Sequence, residues 1–338
     1  MRVFQIQDDW GIDNLKMATR DVPKPGRGEV LIQMRMAALN ARDLIVPERG
    51  YGRATGNLPL IPVSDGVGVV VETGEGVSRV ATGDRVCPTY FQNWQGGAPS
   101  AERFASALGG PLDGVMAEFI CLSQEGVVRV PDYLSDAEAA TLPCAALTAW
   151  SAISMQGAVH PGDRVLVQGT GGVALFALVF AKMHGAHVTV ISSSDDKLER
   201  VREMGADAVI NYLEIPDWAR ASREITAERG GYDLIVELGG AKTLPLSLRA
   251  VRPGGTIAMI GVLSGLQLEA SLGPIVARQV RLQGVTVGHR DGFEAMLTAM
   301  AQHQVHPVLG ETFDFADLRT ALEHLRSAKG MGKTLIRF

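Results

Sequence analysis

The sequence predicts an α/β protein of two domains, a doubly wound parallel sheet and a smaller β module. Three observations carry this expectation. The chain has 338 residues, more than the roughly 100–200 of one ordinary domain. Its texture changes near residue 140, from short strands and turns to strands alternating with helices. Between the first of those strands and the helix after it stands a glycine loop, Gly169-Thr170-Gly171-Gly172-Val173-Ala174.

The β module is read from its punctuation. Val30–Met34 and Gly66–Glu72 are apolar runs of strand length, the second closed by Gly74 and Gly76. Pro23-Lys24-Pro25-Gly26 and Thr82-Gly83-Asp84 are turn chemistry. Short strands at this spacing predict a barrel-like module. Residues Tyr90–Gly114 are polar and rich in Gly, Ala and Pro, and read as a long loop with some helix. They either line the mouth of a site or form a plain surface excursion.

The α/β half alternates. Arg164–Gln168 is an apolar strand, and the helix Ala174–His184 follows the glycines. Next come the strand His187–Ser192, the helix Lys197–Met204, the strand Ala208–Ile210 and a helix over Pro216–Glu228. Tyr232–Leu238 is a strand and Thr243–Ala250 a helix. Pro253-Gly254-Gly255 is a turn into the strand Thr256–Ile260, and Arg281–Val287 is a sixth strand. Right-handed crossovers between such elements give a parallel sheet. Two further helices, Phe293–Gln302 and Phe315–Ala328, precede a final strand.

Charge and composition exclude several classes. A net charge of −5 with no basic patch argues against nucleic acid as a partner. No apolar run approaches the ~18 residues of a membrane span. The first residues, Met1 to Asp8, contain no apolar signal core, so a cytoplasmic setting is expected. Three scattered cysteines, Cys87, Cys121 and Cys144, make no disulfide framework.

The glycine loop points to a dinucleotide. Gly169 permits the tight turn, and Gly171 permits close approach of backbone to a pyrophosphate. The helix that opens at Gly172 and Val173 presents free N–H groups and a positive end. The end of the second strand then selects the cofactor. An acid there accepts hydrogen bonds from the ribose hydroxyls of NAD. Here the strand ends in Ser192 and Ser193, whose hydroxyls suit a 2′-phosphate, and Lys197 follows with a charge. Asp195 and Asp196 read as N-cap and first-turn acids of the next helix. NADPH is favoured, with NADH the alternative.

Taken together, several stretches resemble the medium-chain dehydrogenase/reductase superfamily along nearly the whole chain. They are Leu39–Asp43, Pro62–Gly68, Thr82–Val86, Leu142–Trp150, the glycine loop with Ala181–Ala186, Met204–Tyr212 and Gly332–Leu335. The resemblance implies a GroES-like β-barrel catalytic domain over 1–128, a Rossmann domain over 129–273, and a C-terminal segment, 274–338, that completes the first. It implies an active site in the cleft between domains, with Thr148 near the nicotinamide. Tyr212 would meet the 2′-phosphate together with Lys197, and Lys333 would approach the pyrophosphate. Gly239, Gly261 and Val262 would present backbone to the cofactor, and Gly288 and Arg290 would face it too. A homodimer through the strand Thr256–Ile260 and the segment after it is also implied.

Members of that superfamily divide into zinc alcohol dehydrogenases and zinc-free quinone oxidoreductases. Where the zinc enzymes carry Cys, His and Cys, this chain has Asn40, Ser64 (followed by Asp65) and Cys144. Neutral amide and hydroxyl groups are poor zinc ligands, so no metal is expected. His303 and His306 stand at helical spacing, but Pro307 makes a helix end the expected setting. Without a Lewis acid, reduction of a conjugated carbonyl or quinone makes smaller demands than alcohol oxidation. Asn40, Arg42, Asp43 and Tyr51 are the candidate catalytic residues. Asn40 would bond a carbonyl or a cofactor group, Arg42 an enolate, and Tyr51 would supply a proton. Local turn and cap roles are the alternative for each. An alcohol dehydrogenase, or a cofactor-binding protein without turnover, remain the other readings.

Overall fold

The computed structural model describes residues 1–338 except 266, 269, 270 and 329. Contacts divide the chain into two units, Met1–Leu147 with Val287–Phe338, and Thr148–Thr286. The first break falls after the expected 128/129, because Val127–Arg129 pairs with Arg85–Pro88 and Asp65 accepts from the Cys144 N–H. The second falls after 273/274, because Arg281–Gly284 is still a strand of the parallel sheet.

In the first unit a seven-stranded sheet runs Leu309–Asp314, Lys333–Arg337, Glu29–Ala38, Asp65–Thr73, Arg85–Pro88, Val127–Arg129, with Phe119–Ser123 added on Glu29–Ala38. Glu29–Ala38 is longer than the expected Val30–Met34, and its register against Asp65–Thr73 shifts between Met34 and Met36. Such a bulge lets one strand bend and serve several partners. Its last residues pair with the chain's final strand, Leu335 opposite Ala38, so the C-terminal segment completes this unit. Val3, Ile32, Val70, Met116, Leu322 and Ile336 meet in its core.

The Tyr90–Gly114 insert has a packed base and an exposed tip. Tyr90, Phe91, Trp94 and Leu108 are buried, and one helical turn, Ala101–Phe104, is capped by Ser100. The base is therefore scaffold rather than a surface excursion.

In the second unit six parallel strands run Ala208–Asn211, His187–Ser192, Arg164–Gln168, Tyr232–Glu237, Val251–Met259, Arg281–Gly284. Numbered along the chain, this is the 3-2-1-4-5-6 order of a Rossmann sheet. Val165, Leu166, Val167, Leu234, Ile235 and Val236 are buried without alternation, as expected for strands covered on both faces. The Pro253-Gly254-Gly255 turn proves to lie inside the strand Val251–Met259, where a register shift opposite Tyr232–Leu234 absorbs it. Among the described residues no helix is long and apolar enough to cross a membrane.

Candidate functional site

The loop in the second unit is built for a ligand. Gly169 has φ +80°, a left-handed conformation that glycine adopts without penalty. Gly171 has φ −80° and ψ 179°, open to any residue, and a Cβ there would meet nothing within 4 Å. Nothing in the protein's own packing requires glycine at 171. The helix Gly172–Met183 begins directly after it, so the first-turn N–H groups lack intrahelical acceptors. A dinucleotide pyrophosphate fits this cradle.

Next to the loop the chain ends of two neighbouring strands come together. Ser192 Oγ lies 3.5 Å from Thr170 Oγ1, and the Tyr212 N–H donates to the Ser192 carbonyl at 3.0 Å. Ser193 and Tyr212 are exposed. The helix cap is Ser194, which accepts from the Lys197 N–H, and not Asp195. Asp195 and Asp196 both lie in the first turn, and Asp195 Oδ1 accepts from Asn211 Nδ2 at 2.9 Å.

A carboxylate that the sequence reading overlooked organises the same end of the sheet. Glu237, fully buried, closes the fourth strand. Its Oε1 accepts from the Gly239 and Gly240 N–H groups at 3.0 Å and from Thr243 Oγ1 at 2.5 Å. Its Oε2 accepts from Gln168 Nε2 at 2.7 Å and Ser247 Oγ at 2.5 Å. Gln168, at the end of the first strand, accepts in turn from the Leu238 and Gly239 N–H groups. First and fourth strands flank the point where strand order reverses, the place where open α/β sheets bind ligands. Gly261 packs there as well, since a Cβ would fall 1.9 Å from the Leu238 carbonyl oxygen, and Val262 is exposed. Thr148 is buried in the short helix Leu147–Trp150.

The first unit holds a buried polar cluster. Asn40, Arg42, Asp43, Ser64, Asp65 and Lys333 are all buried. The Asn40 N–H donates to Asp43 Oδ2 at 2.7 Å, and Asp43 Oδ1 has no partner. Burial pushes Asp43 up to about 6, against the opposing pull of Arg42. A carboxyl group near that value exchanges protons close to neutral pH. Arg42 donates to the Leu108 and Gly110 carbonyls at 2.8 and 3.0 Å and lies 4.8 Å from the Tyr90 ring centroid. The base of the insert thus holds this guanidinium, whose Nε is unpartnered. Burial works against the Arg42 charge, but Tyr90 and Asp43 hold its pKa above the ordinary value. Tyr51 is half exposed, and partial burial raises its phenol.

Asp65 lies among the positions where zinc relatives carry ligands. Its Oδ1 accepts from Ser64 Oγ at 2.6 Å and its Oδ2 from the Cys144 N–H at 3.0 Å. Burial raises Asp65, with Lys333 and Ser64 pulling the other way. Burial and the Asp65 charge push the Cys144 thiol up to about 12. Zinc prefers thiolate and imidazole, and one thiol beside an amide and a hydroxyl is a poor ligand set.

Lys333 and Arg290 both have partners within the first unit. Lys333 is buried. It opens the final strand, and its buried Nζ donates at 2.5 Å to the Leu39 carbonyl and to Asn40 Oδ1. Arg290, just after Gly288, opens the helix Arg290–His303 and pairs with Glu125 and Asp291, all within the first unit. The two histidines are not a pair: His303 ends that helix, and His306 bonds Glu138 at 2.6 Å.

The comparisons agree with this architecture. Residues 26–132 match the alcohol dehydrogenase GroES-like domain, and residues 172–302 match the zinc-binding dehydrogenase family. The zinc-type alcohol dehydrogenase-like protein C1773.06c of Schizosaccharomyces pombe is 40% identical over 334 residues, spanning 97% of this chain and 96% of its own. A cobalt- and zinc-bound thermostable alcohol dehydrogenase from Pyrobaculum aerophilum superposes with a TM-score of 0.87 at 31% identity, covering 100% of this chain and 99% of its own. An acryloyl-coenzyme A reductase of Sulfurisphaera tokodaii is 27% identical over 323 residues, 93% of this chain and 94% of its own. The chain belongs to the medium-chain dehydrogenase/reductase superfamily and is an NAD(P)H-dependent oxidoreductase.

Proposed function

We propose that this protein is a zinc-independent, NADPH-dependent reductase of quinones or α,β-unsaturated carbonyl compounds. The observation that carries the reading is the donor set at the zinc positions: Asn40, Ser64 and a single thiol, Cys144, with the Lys333 ammonium bonded to Asn40. These groups suit hydrogen bonding to an oxygen and not coordination of a divalent cation. The acryloyl-coenzyme A reductase shows by its name that a relative reduces a conjugated acceptor. The metal-bound alcohol dehydrogenase supports alcohol–aldehyde interconversion as the second reading.

NADPH, when bound, supplies the hydride. Gly169, Gly171, Gly172 and Val173 seat its pyrophosphate, and Ser192, Ser193, Lys197 and Tyr212 meet its 2′-phosphate. Thr148, Gly239, Gly261 and Val262 complete the contacts. Asn40 donates to the acceptor's oxygen, and Asp43, with a pKa of about 6, feeds the proton. Arg42 and Tyr51 supply field around that oxygen.

Oxidation of NADPH against quinones, cyclic enones and aldehydes, with NADH in parallel, tests this. Turnover of quinone or enone, with NADPH preferred at least ~10-fold in kcat/KM, is expected from one lost charge-assisted contact. One tightly held zinc per chain, lost together with activity, would overturn it.

A homodimer through the strand Thr256–Ile260 and the segment after it is part of the proposal. Val251–Met259 is flanked on both sides, so the expected Thr256–Ile260 strand is no edge. The open edge is Arg281–Gly284, beside exposed Leu263, Leu272, Val276 and Leu282. A short open strand edge together with exposed apolar side chains invites a second copy. Sedimentation at micromolar concentration is expected to give a dimer, and a monomer would refute it.

A further inference from the structure

An acid stands where a 2′-phosphate is least tolerant of one. Asp195 lies in the first turn of the helix Asp195–Glu203, three positions after Ser192. Ser192 Oγ is 3.5 Å from Thr170 Oγ1 in the glycine loop, so this strand end borders the phosphate cradle. The ribose of a dinucleotide rests at such a strand end. A carboxylate there accepts from two free hydroxyls and repels a 2′-phosphate. Asp195 is exposed, and an exposed aspartate with no partner moves among its staggered rotamers.

Asn211 supplies the partner. Its strand, Ala208–Asn211, is the outermost on that side of the parallel sheet and places Asn211 in register with Ser192. Asn211 Nδ2 donates to Asp195 Oδ1 at 2.9 Å. The other end of the amide is engaged too, because Asn211 Oδ1 accepts from the Leu213 N–H at 3.1 Å. Asparagine forms this local turn with the backbone two residues on. A flipped amide would set donor against donor at Leu213 and acceptor against acceptor at Asp195.

The main chain around Asn211 is pinned as well. The Tyr212 N–H donates to the Ser192 carbonyl at 3.0 Å, and the Ile215 N–H to the Asn211 carbonyl at 2.9 Å. Each step therefore determines the next. The turn fixes Oδ1, a fixed Oδ1 aims Nδ2, and Nδ2 draws the carboxylate toward the outermost strand. All of these groups belong to the second unit.

We propose that Asn211 is a specificity-determining positioning residue: its amide ties the Asp195 carboxylate to the outermost strand and keeps that charge off the 2′-phosphate of NADPH. The proposal rests on the NADPH reading above. Untied, Asp195 turns toward the ribose, where it repels the 2′-phosphate and accepts from the hydroxyls of NADH. Asn211 thus acts through Asp195 and touches no cofactor atom itself.

The test measures NADPH and NADH Kd by fluorescence titration in wild type, N211L, D195N, D195N/N211L and D196N/N211L. N211L is expected to weaken NADPH about 5-fold, the effect of a unit charge moved a few Å nearer a phosphate in a solvated setting. NADH should bind N211L at least as tightly as wild type. D195N should bind NADPH as tightly as wild type or up to about 3-fold more tightly. In D195N/N211L the loss should vanish to within about 2-fold of D195N, because the charge to be restrained is gone. The loss should persist in D196N/N211L, since Asp196 is not the acid that Asn211 holds. In about 0.5 M salt the N211L loss should shrink to under about 2-fold, as screening requires.

An N211L protein with wild-type affinity for NADPH would overturn the proposal. So would a loss that survives in D195N/N211L or is indifferent to salt, since Asn211 would then only shape the turn. If N211L does not fold, N211S takes its place. Serine can make the same local turn with a shorter side chain that does not span to Asp195. The cofactor reading has its own failure: a wild type that prefers NADH, and loses NADH affinity in D195N, would make Asp195 the ribose acceptor.

Discussion

Gly171→Val is expected to abolish dinucleotide binding while leaving the free protein intact. The backbone at 171 sits at φ −80° and ψ 179°, a region where a β-branched residue is at ease. A Cβ there meets no heavy atom within 4 Å, so the side chain enters open space. The unfolding midpoint of the free protein should therefore move by less than about 2 °C, within the range of a neutral surface change. The space it fills is the approach to the helix Gly172–Met183, where a pyrophosphate would come close to the backbone. NADPH should bind at least about 100-fold more weakly, or about 2.7 kcal/mol. Thermal shift with and without NADPH reads both quantities at once. An unchanged shift on adding NADPH would mean that the pyrophosphate does not cross this loop. Gly169→Val is the contrasting case, because φ +80° strains any branched residue even without a ligand.

The contrast between these glycines shows what a sequence can and cannot disclose. A left-handed turn between an apolar strand and a helix leaves a local mark, and the loop is legible from a dozen neighbouring residues. The alternation of strand and helix was legible for the same reason, whereas the interruption of one domain by another came only from the family resemblance. Pairings across the sheet were not. Gln168 and Glu237 read as the polar ends of two apolar strands, 69 positions apart. Their contact exists because strand order places the first strand beside the fourth. Lys333 has the same problem in stronger form. The antiparallel register of the final strand delivers it to Leu39 and Asn40, the latter 293 positions away. The N-cap was misplaced by one residue because Ser194, Asp195 and Asp196 are all good caps, and the chain's entry angle selects among them.

Glu237→Leu should markedly destabilise the second unit. The side chain is fully buried and isosteric replacement would keep its volume, so cavity formation is not the issue. The loss is electrostatic. Five donors converge on the carboxylate: two backbone N–H groups, two hydroxyls and the Gln168 amide. The helix Leu244–Ala250, which begins beside Thr243, adds its positive end. Leucine leaves all five facing a methyl surface. The hydroxyls can turn to other acceptors, the Gly239 N–H keeps Gln168 Oε1 and the Gln168 amide keeps Ser247 Oγ, but the Gly240 N–H loses its acceptor. One orphaned group at about 1–3 kcal/mol, with weakened bonding of the other four donors, puts the cost at about 3 kcal/mol. Glu237→Gln should be milder and informative. Its oxygen must stay with the two backbone N–H groups, so its NH₂ faces the Gln168 NH₂. That amide cannot flip without releasing the Leu238 and Gly239 N–H groups it accepts from. Chemical denaturation should rank wild type, Glu237→Gln, Glu237→Leu in falling order. Because the network ties together the carboxyl ends of the first and fourth strands, at the reversal of strand order, Glu237→Gln should also weaken NADPH binding, even at temperatures where it is fully folded. Equal stability of wild type and Glu237→Leu would show that this network is dispensable to the fold. Undiminished NADPH affinity in a folded Glu237→Gln would show that the network holds the sheet without shaping the cofactor's seat.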